Sequence, residues 1–367
     1  MISRLVSKEY MKDVRKRDNI MARFSPNTYY QYLVNRYGVR RYIFPEMSDE
    51  FVDRFFTERE VSQSFRRAMM ERSSSRKESD MINDELQKLL EIVPKKHQQL
   101  FKNRIFVGEF PTGDFNAHAV RVPEGSGYVI LVNVGLIMFI YAVAEIIFSQ
   151  IEFGTVKYNN NGKPIVDKVL GTREISYEEA GVYFQDTIQR YVNLKRYDPS
   201  KEKIIVKGGA KLVLLSKLGS AAVNFVLAHE LGHLLLGHLD SEQTRLVTVP
   251  GIGIKVPVIS KSWENEFKAD LIGGFLFVKN LLNKVDDGFT GPDSKNSIGG
   301  PFLFFELLRL IEKAQGLAKY TSHPPTKQRY EALETHLMSI VPQNSFSISK
   351  RIVSLLQSFE PLVKKKP

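Results

Sequence analysis

The segment from Ser220 to Leu236 constrains this chain more than any other, because it reads as an apolar helix that carries His229-Glu230-Leu231-Gly232-His233. Two histidines four residues apart on a helix stand on one face, one turn apart. Both imidazoles can then reach the same tetrahedral metal ion. Glu230 falls about 100° further round the helix, beside such an ion rather than on it. A carboxylate there can take the proton of a metal-activated water. The flanking Val226-Leu-Ala228 and Leu234-Leu-Leu236 mark the helix as a core element, in which polar side chains need partners. Gly237 is the predicted stop, as a residue just past the last turn.

Two imidazoles leave a metal shell incomplete. The extended pattern HExxHxxGxxH fails, because Leu236 and Leu239 stand where its Gly and third His would be. His238 projects to roughly the opposite side of a straight helix from His229, and reads as a surface or loop histidine. Glu266 is the expected third ligand, on a second helix running from Trp263 with Ser262 as its N-cap. Asp270 shares the face of Glu266 and is expected to accept a hydrogen bond from a ligand imidazole. Ala269 between them permits close helix approach, and Glu264 is the reserve ligand. In His323-Pro-Pro-Thr-Lys-Gln-Arg329, His323 and Arg329 flank a helix start and are expected to stabilise a tetrahedral oxyanion. The 367 residues include no cysteine, which excludes thiolate ligands, disulfides and a cysteine nucleophile. Nitrogen and oxygen donors remain, and Zn²⁺ is the expected metal.

Around this motif the pattern predicts an α+β fold. A basic, mainly helical region occupies 1–80, with a tyrosine cluster (Tyr29, Tyr30, Tyr32) and a linker at 72–79. A domain at 81–345 combines a small mixed sheet with the motif-bearing helices. It contains an insertion at about 151–208, and 346–367 form a basic tail. A strand pair is predicted at Arg104–Val107 and Ala117–Val122, followed by a strand at Tyr128–Val132, with the Glu124-Gly-Ser-Gly127 turn joining the last two as a hairpin. Tyr128–Val132 is also the expected edge strand against which an extended substrate pairs. Gly127–Ala144 is just long enough to span a bilayer, but it divides into a β-rich run, a turn signal at Asn133 and Gly135, and a helix. Strand, turn and buried helix is therefore the expected parse, without stable membrane insertion. Residues 1–20 are too charged for an apolar signal segment, so the expected compartment is the cytoplasm.

Taken in order, Asn116-Ala-His-Ala119, the element from Tyr128 to Phe148, His229-Glu-Leu-Gly-His233, Glu266-Phe-Lys-Ala-Asp270 and Ser322-His-Pro-Pro325 with Arg329 resemble the gluzincin-type metallopeptidases. The arrangement is most similar to the Lit-like phage-exclusion peptidases. The match covers roughly residues 104–340, and residues 1–100 match nothing. The CAAX-prenyl endopeptidases share the motif order but carry membrane helices and a shorter spacing before the zinc helix. The resemblance implies a zincin-like core and a cytosolic, zinc-dependent peptidase acting on a bacterial host protein in phage defence. It implies a translation factor as the class of substrate. A nucleic-acid-binding or regulatory protein keeping such a fold is the alternative, with the basic first 80 residues as its binding module. The net charge of +11 accommodates either.

Overall fold

A run of six apolar or amide residues with no polar alternation, Tyr-Val-Ile-Leu-Val-Asn, needs cover on both sides, and the structure supplies it. The computed structural model describes residues 25–36, 57–60, 62–64, 67, 78–110, 112–122, 127–158, 164–171, 173–194, 206–239, 244–249, 254–259, 263–283, 292–316 and 324–363. Strands β1 (Ile105–Phe110), β2 (Ala117–Arg121) and β3 (Tyr128–Asn133) form one mixed sheet in the order β1-β3-β2. β3 is parallel to β1 and antiparallel to β2, with Ala119 opposite Ile130. The expectation that Tyr128–Val132 forms an edge is thus corrected: it is the central strand, buried at every position, and β1 and β2 are the edges. Nor do the first two strands pair with each other, since β3 lies between them.

One face of the sheet turns Val107, Ala117, Ala119, Ile130 and Val132 into the main core. The other turns Phe110, Val120, Val122, Val129 and Leu131 against helix α1 (Pro26–Arg36). Tyr29, Tyr30 and Leu33 of α1 are buried there, and the Tyr30 hydroxyl donates to the Glu109 carbonyl at 2.7 Å. The Tyr30 ring lies over Gly108, where a larger residue would collide with it. Two of the three clustered tyrosines are therefore core residues.

Helices α2 (Glu78–Ile92) and α3 (Lys95–Phe101) precede the sheet, separated at Pro94. Helix α4 (Val134–Gln150) follows β3 directly, without the expected turn. Gly135 lets the backbone of Gly113 lie against its first turn. The region expected as an insertion holds the hairpin β4 (Phe153–Tyr158) and β5 (Pro164–Gly171), then α5 (Tyr177–Leu194). Ala180, Phe184, Ile188 and Val192 of α5, spaced by four, join the main core.

Helix α6 (Gly209–Leu235) begins well before Ser220 and runs through Gly219, which packs against the ring of Tyr141. Among the described residues it is the one helix long and apolar enough to cross a bilayer. It is wrapped by α4, by α7 (Trp263–Leu282), by α8 (Pro292–Ser297) and by α9 (Gly300–Gln315). Between α6 and α7, the hairpin of β6 (Thr244–Val249) and β7 (Ile254–Ile259) brings β7 alongside β2. Helix α10 (Thr326–Met338) packs on α7 and α9. Residues expected as a tail instead form α11 (Ser347–Phe359). Its Ile352, Val353, Leu356 and Phe359 are buried at helical spacing. Lys364–Lys366 lie outside the described residues. The protein is thus α+β, mostly helical with a small mixed sheet.

Helices α6 and α7 run antiparallel in unusually close contact. Gly232 faces the backbone of Ala269, and Gly273 faces that of His229. A Cβ at Gly273 would come within 2.8 Å of the His229 backbone, and backbone cannot move aside as a side-chain tip can. Gly273→Ala is expected to cost about 1–3 kcal/mol, the usual penalty for overpacking a filled core. Denaturant unfolding measures it, and wild-type stability in that variant would show that the two helices separate freely.

Candidate metal centre

The close contact between α6 and α7 sets three side chains around one point. His229 and His233 rise from the last turns of α6, and Glu266 enters from the first turn of α7. His229 Nε2 and His233 Nε2 are 3.1 Å apart. Glu266 Oε1 is 3.4 Å from His233 Nε2, and Glu266 Oε2 is 3.9 Å from His229 Nε2. A tetrahedral ion bonded at 2.0–2.1 Å spaces its ligand atoms by about 3.3–3.5 Å. The three donors therefore fit a single cation. They are buried, and the three residues can hold a metal ion.

Charge points the same way. Glu230, Glu266 and Asp270 are buried together, with Arg329 as the buried cation among them. A divalent cation held by His229, His233 and Glu266 would add positive charge beside these carboxylates. Buried charge that is not compensated is costly.

The ligands are themselves oriented. His229 Nδ1 sits 2.8 Å from Asp270 Oδ1, a short contact somewhat off the line of the ring N–H. It assigns the ring proton to Nδ1 and leaves Nε2 with a lone pair for a metal. Arg329 donates to Asp270 through both Nε (2.7 Å) and Nη2 (2.8 Å), and its Nη1 lies 3.1 Å from Glu266 Oε2. The Phe305 ring lies 5.2 Å from its guanidinium carbon. Burial alone would raise the Asp270 carboxyl, but the Arg329 guanidinium and the hydrogen bonds it makes hold that carboxyl below the usual carboxylate range. Arg329, expected to face an oxyanion, instead stands behind the ligands and is engaged by both carboxylates.

Glu230 lies on the side of α6 turned toward the sheet. Its Oε2 accepts the backbone N–H of Ala119 on β2 at 2.8 Å. The Ala117 N–H, also turned away from β3, goes to the Asn116 side chain at 2.9 Å. Sequence reasoning marked Asn116–Ala119 only through resemblance, and could not foresee that a strand amide holds Glu230.

Two expectations fail here. Glu264 is exposed and paired with Lys268 at 2.6 Å, away from the cluster. His238, expected at the surface, is buried, with Nδ1 2.8 Å from Nδ1 of His233. The chain leaves the helix at Gly237, in a left-handed conformation (φ 68°), and the His238 N–H donates back to the His233 carbonyl at 3.1 Å. That reversal carries its side chain under His233, where extrapolation of a straight helix cannot place it. Burial pushes the His238 imidazole below its ordinary pKa. His323 and Ser262 lie outside the described residues.

Arg329→Leu is expected to cost about 3–5 kcal/mol, because it strands a buried carboxylate. Arg329→Lys should recover only part, since an ammonium cannot reproduce the two-pronged bond to Asp270. Urea unfolding of the two variants measures both effects, and a neutral Leu variant would show that Asp270 finds another partner. No protein-family model matches this chain, and no curated protein or solved structure matches it at a significant level.

Proposed function

We propose that this protein is a zinc-dependent endopeptidase of the gluzincin type. The observation that carries this reading is the pairing of a buried His229–His233–Glu266 cluster with Glu230, a fourth polar side chain fixed beside it by the Ala119 amide. Two imidazoles and one carboxylate suit Zn²⁺ in an open, catalytic site better than in a closed structural one. A zinc ion held there supplies a Lewis acid and a water acidic enough to lose its proton near neutral pH.

The chain's own groups would then divide the work. His229, His233 and Glu266 would hold the ion, and Asp270, backed by Arg329, would orient His229. Glu230 has one carboxylate oxygen tied to β2. It takes a proton from the attacking water and returns it to the leaving amine. On the outer edge of β2 the carbonyls of Ala117, Ala119 and Arg121 alternate away from β3, while the Ala117 and Ala119 N–H groups are held by Asn116 and Glu230. An extended peptide laid along those carbonyls would bring its own carbonyl beside Glu230. The zincin-like core, the cytoplasmic setting and the Lit-like role against a host protein in phage defence belong to the same proposal. They rest on the motif order given above.

The rival reading as a nucleic-acid module is less well supported, because Tyr29 and Tyr30 are spent on covering the sheet. Metal analysis of purified wild type should find about one zinc per chain, sharply reduced in Glu266→Ala. Glu230→Gln should keep the zinc while cleavage of a peptide library, read by mass spectrometry, falls at least about 100-fold. Undiminished turnover in Glu230→Gln would remove the general-base role. Absence of zinc after reconstitution would remove the peptidase reading.

A further inference from the structure

We propose that His238 is a positioning residue for the metal ligand His233, fixing its ring orientation and its tautomer through a direct imidazole–imidazole hydrogen bond. The inference deepens the metal-site reading above and rests on it.

The two ligand histidines are oriented by different means. His229 has a carboxylate at its Nδ1, with a guanidinium behind that. At His233 the corresponding contact is with a second imidazole: its Nδ1 lies 2.8 Å from Nδ1 of His238. The rings are tilted at 60° with centroids 5.1 Å apart. Two bare nitrogen lone pairs would repel at that distance, so one nitrogen carries the proton. If Nε2 of His233 presents its lone pair to a cation, the proton of a neutral His233 ring must sit on Nδ1. His233 then donates and His238 accepts, which leaves the proton of a neutral His238 on its own Nε2. The direction of this bond follows from the Nε2 positions of His229 and His233, which converge on Glu266.

Backbone geometry makes the contact specific. The Gly237 N–H donates to Leu234 and the His238 N–H to His233, a reversal that brings position 238 back beneath the helix end. Gly237 has open space where a Cβ would be, so its positive φ rather than crowding favours glycine there. Pointing outward, His238 would be an ordinary loop residue; buried, it brings a ring nitrogen to the Nδ1 side of His233, opposite the side that meets His229 and Glu266.

Asparagine and leucine separate this role from simple packing. An Asn side-chain oxygen occupies nearly the place of His Nδ1 and accepts a hydrogen bond, whereas Leu fills similar space without an acceptor. Zinc affinity is measured by competition with a chromophoric chelator, beside the visible spectrum of the cobalt-substituted protein and the melting temperature of the metal-free form. His238→Leu is expected to bind zinc roughly 10- to 100-fold more weakly, as when the partner of a metal-ligating histidine is lost. Its cobalt spectrum should be altered while the metal-free melt stays near that of wild type. His238→Asn should restore most of the affinity and the spectrum. Should the Leu variant melt too low to assay, His238→Phe, which keeps an aromatic ring, replaces it. Unchanged zinc affinity without the acceptor would overturn the proposal, as would equal weakening in the Asn and apolar variants. A wild-type protein that binds neither zinc nor cobalt would instead overturn the metal-site reading, and this role with it.

Discussion

Three carboxylates buried in the apolar centre of a helical fold are the constraint on which the rest of this structure depends. Each costs several kcal/mol to remove from water unless a partner offsets it. Asp270 is offset by both prongs of Arg329, Glu266 by Arg329 and the two imidazoles, and Glu230 by a strand amide. These partners come from α10, α6 and β2, so the cluster ties together elements distant in sequence. A fold that lost any of them would leave a charge stranded, which is far more costly than losing a surface ion pair.

Close backbone packing makes the cluster geometrically attainable. Glu266 can approach the two imidazoles because Gly232, Ala269 and Gly273 let α6 and α7 meet without side chains between them. The long apolar stretch of α6, with Leu215, Leu218, Ala222 and Phe225 buried, anchors the helix so that its polar end is held still. Each large apolar side chain buried there contributes about 1.5–3 kcal/mol. Polar convergence at one end of a rigid helix pair is what a metal-dependent hydrolytic site requires. The two candidate ligand imidazoles also meet different partners at Nδ1, a carboxylate for His229 and a second imidazole for His233.

The sheet has a second role beyond filling the core. β3 is sealed on both faces, by the main core and by α1, and β2 lies beside it at one edge of the sheet. That edge is the one that reaches Glu230. The tyrosines of α1 therefore serve the site indirectly, by holding the sheet that positions the Ala119 amide.

Helical periodicity was enough to place His229 and His233 on one face, and Glu266 and Asp270 on another. Those relations depend only on spacing within one helix, which the backbone geometry fixes locally. The apolar run at 128–132 likewise announced a strand, though not its buried central place, and Gly237 announced the helix end. What the strand paired with, which edge lay open, and that Arg329 turned toward Asp270 were decided by tertiary contacts between segments far apart in the chain. His238 shows the boundary between the two. Its neighbour Gly237 already signalled that the helix stops, yet where the chain then carries the next side chain depends on a left-handed backbone turn and on the ring waiting beneath it. Local sequence fixes periodic geometry, because each residue there is bound to its near neighbours. Beyond a helix end, direction is set by packing, and only the folded chain supplies that.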